Sequence, residues 1–204
     1  MIECFTGLPG SGKSLDAASR IKSALAGKRW VVSNFKFNVS KTKNPKHFIY
    51  VPNDKLTPEV LVHISRKIVK AKKENQILLV VDECAVLWNS RNWQKNTPFV
   101  NFFAIHRKLG YNVILICQDV KTIDKQLRAL IEIEVQHRNF TQYGTFGWIL
   151  KQLVGAPVIF CVSYWLPLCQ HGKCKAAKAG SSLLIGRKSL YKLYDTFQGF
   201  SSVA

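Results

Sequence analysis

Hydrophobic and polar positions change period several times along this chain, and each change predicts an element. Ile2–Thr6 is a short apolar run interrupted by Glu3, the pattern of a buried strand. In residues 15–25 the apolar side chains Leu15, Ala18, Ile21 and Leu25 recur at helical spacing. Residues 29–37 read as a second strand with Asn34 near its carboxyl end, followed by a basic loop through Pro45 and a short apolar piece at 48–51. Thr57 reads as an N-cap with Pro58 as the first residue of a helix running through Leu61, Ile64 and Ile68 to about Lys73. Arg66, Lys67, Lys70, Lys72 and Lys73 load its last turns, where cations complement the helix dipole.

Ile77–Val81 is uninterrupted apolar sequence, as expected of a central parallel strand covered on both faces, and it stops at Asp82-Glu83. A polar loop at 89–97 precedes a predicted helix over about 99–109 that Gly110 would end. Residues 113–117 repeat the buried-strand pattern and stop at Gln118-Asp119. A helix over 123–130 and a strand over 131–137, with Glu132 and Glu134 on one face, complete the alternation.

Strand and helix alternating over residues 1–138 predict an α/β core with a mainly parallel sheet flanked by helices. Residues 139–204 read as a small strand-rich C-terminal extension packed on that core. Within it, residues 152–170 carry no formal charge, which raises the question of a transmembrane helix. Gly155, Pro157, Pro167, Ser163 and the β-branched and aromatic content of Val158–Trp165 favour a buried strand instead. Two more strands, at 183–185 and 190–194, are expected to pair across the turn at 186–189.

The first loop carries the chemistry. Residues 7–14 read Gly-Leu-Pro-Gly-Ser-Gly-Lys-Ser, the G-x-x-x-x-G-K-S phosphate-binding pattern, set between a predicted strand and a predicted helix as that pattern requires. Gly7, Leu8, Pro9, Gly10, Ser11 and Gly12 would wrap a phosphate chain with backbone N–H groups at the positive end of the helix. Lys13 can reach the β- and γ-phosphates and the Ser14 hydroxyl can ligate Mg²⁺. Asp82, closing an apolar strand, matches the second metal-holding position of such sites, and Ser14 and Asp82 are the expected metal residues. A carboxylate directly after it, Glu83, can deprotonate a water attacking the γ-phosphate, which favours hydrolysis over transfer to a metabolite. Gln118 ends the neighbouring strand and can hydrogen-bond that water or the γ-phosphate. Arg107 could complete a neighbouring subunit's site as a charge-stabilising finger, with Arg91 and Arg128 as competitors and a plain surface arginine as the bland alternative. Lys13, Asn34, Asp82, Glu83 and Gln118 all fall at predicted carboxyl ends of strands, where parallel sheets bind ligands.

Charge adds a class of partner. With 30 Lys and Arg against 12 Asp and Glu, the net charge is +18, which predicts attraction to polyanions: nucleic acid, anionic lipid, or both. Cys4, Cys84 and Cys117 sit in or beside core strands and read as small buried hydrophobes rather than a disulfide framework. Cys169, His171 and Cys174 are close enough to suggest a metal, with Cys161 as a fourth ligand, although no second pair at zinc spacing follows. No signal peptide fits the N-terminus.

The phosphate loop at the extreme N-terminus, Leu-Val-Val-Asp-Glu-Cys at 79–84, His-Arg-Lys-Leu-Gly at 106–110, Ile-Leu-Ile-Cys-Gln-Asp at 114–119 and Tyr-Lys-Leu-Tyr-Asp-Thr at 191–196 together resemble the Zot (zonular occludens toxin) domain, over nearly the whole chain. That resemblance implies a P-loop NTPase fold and an ATP- and Mg²⁺-dependent assembly ATPase of filamentous phages. Such an enzyme works on the cytoplasmic face of the host inner membrane and drives extrusion of a single-stranded DNA phage. It implies a homo-oligomer, single-stranded DNA or phage coat and assembly proteins as partners, and the inner membrane or a membrane-anchored phage partner. Members usually continue into a membrane span and a periplasmic tail with which toxin activity is associated, so that activity is not expected of these residues. Membrane access would come from sequence beyond them, from a partner, or from 152–170. Two alternatives stand beside the motor. A small-molecule kinase would need an acceptor pocket and an arginine-bearing lid, neither recognisable here. A nucleotide-binding switch would bind ATP without turnover.

Overall fold

The computed structural model describes residues 1–69, 74–142, 144–168 and 177–194. In chain order the elements are β1 (Ile2–Thr6), α1 (Lys13–Ala26), β2 (Trp30–Ser33), β3 (Phe48–Tyr50), α2 (Pro58–Ile68), β4 (Ile77–Val81), α3 (Cys84–Leu87) and α4 (Trp93–Ile105). Then come β5 (Tyr111–Ile116), α5 (Lys125–Arg128), β6 (Ile133–Asn139), α6 (Gly144–Val154), β7 (Val158–Trp165), β8 (Lys178–Ile185) and α7 (Lys188–Tyr191). The strands form one eight-stranded sheet in the order β3-β2-β4-β5-β1-β6-β7-β8. All pairings from β3 to β6 are parallel, whereas β7 and β8 are antiparallel.

The two faces of the sheet are covered by different side chains of the same strands. Ile77, Leu79 and Val81 of β4 join Trp88, Phe102, Phe103 and Tyr111 on one face. Leu78 and Val80 join Phe5, Ile21, Leu25, Leu190 and Leu193 on the other. All five residues of β4 are buried, so period-two alternation is present but invisible in an all-apolar run. Tyr111 is tolerated in the core because its hydroxyl donates to the Leu61 carbonyl at 2.8 Å.

Several expected elements are shifted, each for a local reason. The second strand stops at Ser33, because the Asn34 side chain is committed to the backbone beyond β4 rather than to a strand face. Helix α4 begins at Trp93, inside the stretch expected to be loop, and carries Pro98 within it. Its polar Asn96 is buried, and it donates to the Asn89 carbonyl at 3.2 Å and to Asp124 Oδ2 at 3.3 Å. The helix expected over 123–130 is a single turn, α5, capped by the Asp124 carboxylate accepting from Gln126 N at 2.7 Å. Strand β6 lies two residues later than expected. Residues 183–185 end the longer β8, which pairs with β7 and not with 190–194. The latter begin in the turn α7, and Leu190 within it and Leu193 just after it are both buried in the cluster that holds α1. Residues 152–168 run from the end of α6 through β7 into a short 3-10 turn at Leu166–Leu168, and among the described residues no helix is long and apolar enough to cross a membrane. The metal candidates Cys169, His171 and Cys174 lie outside the described residues, as do 70–73 at the expected end of α2.

Glu3 in mid-β1 is nearly covered, with Arg20 Nη2 at 3.8 Å. Burial raises its carboxyl above the ordinary range, and Arg20 only partly offsets this. A raised acid favours the protonated native state, so its contribution is complete below the ordinary carboxyl pKa and is lost as pH rises through the raised one. Urea midpoints across roughly pH 4 to 8 should therefore fall more with pH for the wild type than for Glu3→Gln.

Candidate functional site

The parallel strand order sets the site. Strand β5 lies between β1 and β4, so the loops leaving β1, β5 and β4 emerge side by side at one edge of the sheet. These loops carry residues 7–14, Gln118, and Asp82 with Glu83. The Gln118 carbonyl accepts from Gly7 N at 3.1 Å and starts the phosphate loop.

Gly7, Gly10 and Gly12 all have positive φ, at 141°, 74° and 99°. At Gly7 a Cβ would lie 2.6 Å from the His137 carbonyl, and at Gly12 only 2.2 Å from Ile159 Cδ1. The loop is thus pressed against β6 and β7, and Asn139 adds a hydrogen bond from Nδ2 to the Gly10 carbonyl at 3.2 Å. Beneath it, the buried His137 and Asp16 side chains meet at 3.1 Å and tie α1 to β6.

Lys13 Nζ folds back to donate to the Gly7 and Leu8 carbonyls at 2.8 and 3.0 Å. Partial burial lowers its pKa, and the Asp82 carboxylate opposes that shift. The Ser11 hydroxyl is buried without a partner among the described residues, and the opening N–H groups of α1 precede the first helical bond, Asp16 N to the Gly12 carbonyl. An orphaned hydroxyl, free helix-end amides and a cradle that a Cβ would fill suit a phosphate chain.

Asp82 is fixed on every side. Its N–H donates to Asn34 Oδ1 at 2.8 Å and its carbonyl accepts from Asn34 Nδ2 at 2.9 Å. Its Oδ1 accepts from Glu83 N at 2.8 Å and its Oδ2 from the Tyr194 hydroxyl at 2.6 Å. Burial, then the Asp82 charge, push the Tyr194 phenol pKa well above the ordinary range. Ser14 in the first turn of α1 and Asp82 directly after β4 are the residues that would hold Mg²⁺, which would neutralise phosphate charge there.

Glu83 follows in the left-handed region at φ 51°. Its carboxylate is exposed and has no hydrogen bond to any described residue. The Gln118 side chain is likewise exposed. Both are free to take a water, with Asp82 held rigid beside Glu83.

Arg107 stands apart from this group. It pairs with Glu132, which also accepts from Ile2 N at 3.2 Å, at the amino edge of the sheet. The length of β1, about 16 Å at ~3.3 Å per residue, separates it from its own phosphate loop. Arg91 lies in a turn beyond α3, and Arg128 Nη1 donates to the Lys121 carbonyl at 3.3 Å.

Cys4, Cys84 and Cys117 are all buried free thiols under the site. The Cys4 and Cys117 sulfurs are 3.6 Å apart, and hydrogen bonding to Cys117 together with burial holds the Cys4 and Cys84 pKa values well above the thiol range. Cys161 lies instead with Asp16 and His137, their ligand atoms within 4.8 Å of one another. The Asp16 carboxylate there is already shared between His137 and Arg20.

Asn139 and Ile159 carry no motif, and sequence reasoning missed their roles and that of Tyr194. The signal for Tyr194 was its place in the family-like stretch Tyr-Lys-Leu-Tyr-Asp-Thr at 191–196, which gave it no role.

A glycine loop between β1 and α1, a lysine and serine at its end and an aspartate closing a buried parallel strand define the P-loop NTPase fold. The chain belongs to the Zot family: the family model described as zonular occludens toxin (Zot) matches residues 1–157. It is similar to the gene 1 protein of Enterobacteria phage I2-2, with 33% identity over 214 residues covering 97% of this chain and 56% of that one. It is also similar to the gene 1 protein of Enterobacteria phage fd, with 29% identity over 97% of this chain and 59% of that one. The chain therefore spans little more than half the length of these relatives. Among solved structures, the N-terminal domain of zonular occludens toxin from Neisseria meningitidis aligns with a TM-score of 0.59 and 21% identity over 95% of this chain and 98% of that one. The genome packaging NTPase B204 of Sulfolobus turreted icosahedral virus 2, in complex with ATP-gammaS, aligns with a TM-score of 0.53 and 16% identity over 91% of this chain and 96% of that one. These two share the fold.

Proposed function

We propose that the protein is an ATP-hydrolysing motor subunit for assembly and extrusion of a filamentous, single-stranded DNA phage at the host inner membrane. The observation that supports hydrolysis is the exposed Glu83 carboxylate, without a partner among the described residues, beside an Asp82 whose backbone and both carboxylate oxygens are engaged. The loop amides and Lys13 bind the phosphates, releasing Lys13 from the Gly7 and Leu8 carbonyls. Bound Mg²⁺ supplies neutralisation of charge on the β- and γ-phosphates, with Ser14 and Asp82 as its protein holders. Glu83 accepts the proton of the attacking water, and Gln118 orients that water. Arg107, remote from its own loop, is suited to a neighbouring subunit's site in a homo-oligomer, once it leaves Glu132.

Family membership supports the cargo class, and the distribution of charge supports a polyanion. Lys22 of α1, Lys41 and Lys192 line a cavity of about 290 Å³ with Ser189 and Leu193. Among the described residues no carboxylate lies within 4.0 Å of these three lysines. Phosphodiesters of single-stranded DNA suit such a cluster, and anionic headgroups at the membrane share its chemistry.

The test is the ATPase rate and oligomeric mass of the protein, measured alone, with single-stranded DNA and with anionic vesicles. Mg²⁺-dependent hydrolysis that DNA or vesicles raise is expected. Nucleotide binding with no turnover in any combination would leave a switch and remove the motor. Lys22→Glu, Lys41→Glu and Lys192→Glu together should weaken DNA binding and flatten the log–log salt slope by about 2, at ~0.7 per phosphate contact on a single strand.

A further inference from the structure

We propose that helix α6 is a membrane-docking element, laying its outward apolar face on an anionic lipid bilayer. The contact would give the motor proposed above, on whose membrane setting it rests, a defined surface towards the host inner membrane.

Trp148, Ile149 and Leu153 of α6 are 63, 50 and 80% exposed. Single exposed apolar residues are ordinary, but these three share one 11-residue helix and fall within about 140° of its circumference at ~100° per residue. The other residues of that arc, Thr145 and Gln152, are exposed and uncharged. The inward side is fixed. Gly147 is buried, and a Cβ there would lie 2.5 Å from the Phe140 carbonyl oxygen. The helix thus lies directly on the backbone of 140–141, and a roll that hid its outer face would break this contact.

The apolar surface continues onto the neighbouring strands. Leu183 and Ile185 of β8, 64 and 45% exposed, are the register partners of Phe160 and Val158 and share their side of the sheet. Phe160 stacks on Phe140, the residue under Gly147, with ring centroids 5.3 Å apart. Apolar surface gathered in this way, rather than scattered, marks an interaction surface.

Charge selects the occupant. Every formal charge from residue 135 to residue 194 is a Lys or Arg. Two of them border the apolar face. Exposed Arg138 is the other register partner of Phe160, and exposed Arg187 follows Gly186, whose N–H donates to the Pro157 carbonyl at 2.8 Å just beyond α6. An apolar face bordered by cations matches acyl chains under anionic headgroups, and a tryptophan suits the boundary between the two. A second copy of the chain fits less well, because two such faces would set cations against cations at a net charge of +18. At 11 residues α6 is ~16 Å long, too short to cross a hydrocarbon core of about 30 Å and long enough to lie in its surface.

The experiment measures sedimentation of the 204-residue chain with vesicles of phosphatidylglycerol or phosphatidylcholine, and quenching of its tryptophan fluorescence by lipid brominated on the acyl chain. Tm, oligomeric mass and ATP hydrolysis without lipid are recorded for each protein. Phosphatidylglycerol vesicles should bind and quench wild type, while Trp148→Phe should bind nearly as well and lose most of the quenching. Ile149→Ser combined with Leu153→Ser should weaken binding about 100-fold, at ~10-fold per large apolar side chain withdrawn from lipid, with Tm and lipid-free hydrolysis unchanged. Equal binding by wild type and the double variant, or quenching that survives Trp148→Phe, would place the contact elsewhere and overturn the proposal. A lower oligomeric mass of the double variant without lipid would also overturn it, by making the face an interface between copies. Lipid binding of the expected kind by a chain that does not hydrolyse ATP would support the docking helix and remove the motor. Hydrolysis without lipid binding would do the reverse.

Discussion

Replacing Glu83 with Gln should lower the rate of ATP hydrolysis by about 10²–10⁴-fold, the contribution of a positioned general base. Glutamine keeps the size and hydrogen-bonding reach of the side chain and loses only the ability to take a proton. It also inherits the same left-handed backbone at φ 51°, whose cost is already part of the native state. The carboxylate is exposed and makes no bond to a described residue, so nothing in the fold depends on its charge. Affinity for Mg-ATP and urea stability should therefore stay near wild type, and the loss should appear in kcat rather than KM. Steady-state turnover beside equilibrium nucleotide binding measures both. Equal turnover by the two proteins would remove Glu83 as the base and weaken the motor reading sharply.

Gly12→Ala should abolish useful nucleotide binding and destabilise the protein together. The backbone there has φ 99°, which an alanine adopts only at a cost of about 1–3 kcal/mol. Its Cβ would also overlap Ile159 at 2.2 and 2.7 Å, and Ile159 is buried in β7 with little room to retreat. Relief of that overlap has to move the loop, and moving the loop displaces the amides that receive phosphate. Adding Ile159→Val, which removes the nearest atom, should recover part of the stability and little of the binding, because the φ penalty persists. Urea unfolding and nucleotide titration of the single and double variants check this, and normal binding by Gly12→Ala would contradict the packing argument.

The part of this site that could be read from sequence is the part built by neighbours in sequence. The loop at 7–14 declares itself by spacing, and Asp82 and Gln118 are marked by the end of an apolar run. What joins them was not legible. Asn139, Ile159 and Tyr194 reach the loop or Asp82 only through tertiary packing, and each type is ordinary in its local context. The same limit explains the misplaced elements. Asn96 looks like loop until its two partners, Asn89 and the buried Asp124, are known, and 190–194 look like strand until Leu190 and Leu193 are found on one side. The boundary of β2 depends on a side chain, Asn34, that prefers a distant backbone to its own strand.

The stretch by which the family is identified and the stretch that finishes the chemistry have different lengths. Residues 1–157 contain every phosphate-loop residue, Asp82, Glu83 and Gln118, yet they exclude Ile159, which covers Gly12, and Tyr194, which bonds Asp82. A fragment cut at 157 would keep the motifs and lose the wall that the loop leans on and the donor that fills Asp82 Oδ2. The smallest piece that keeps the packing around the phosphate loop and Asp82 therefore runs from Met1 to at least Tyr194, with β7 and the residues after α7 supplying contacts that the motifs alone lack.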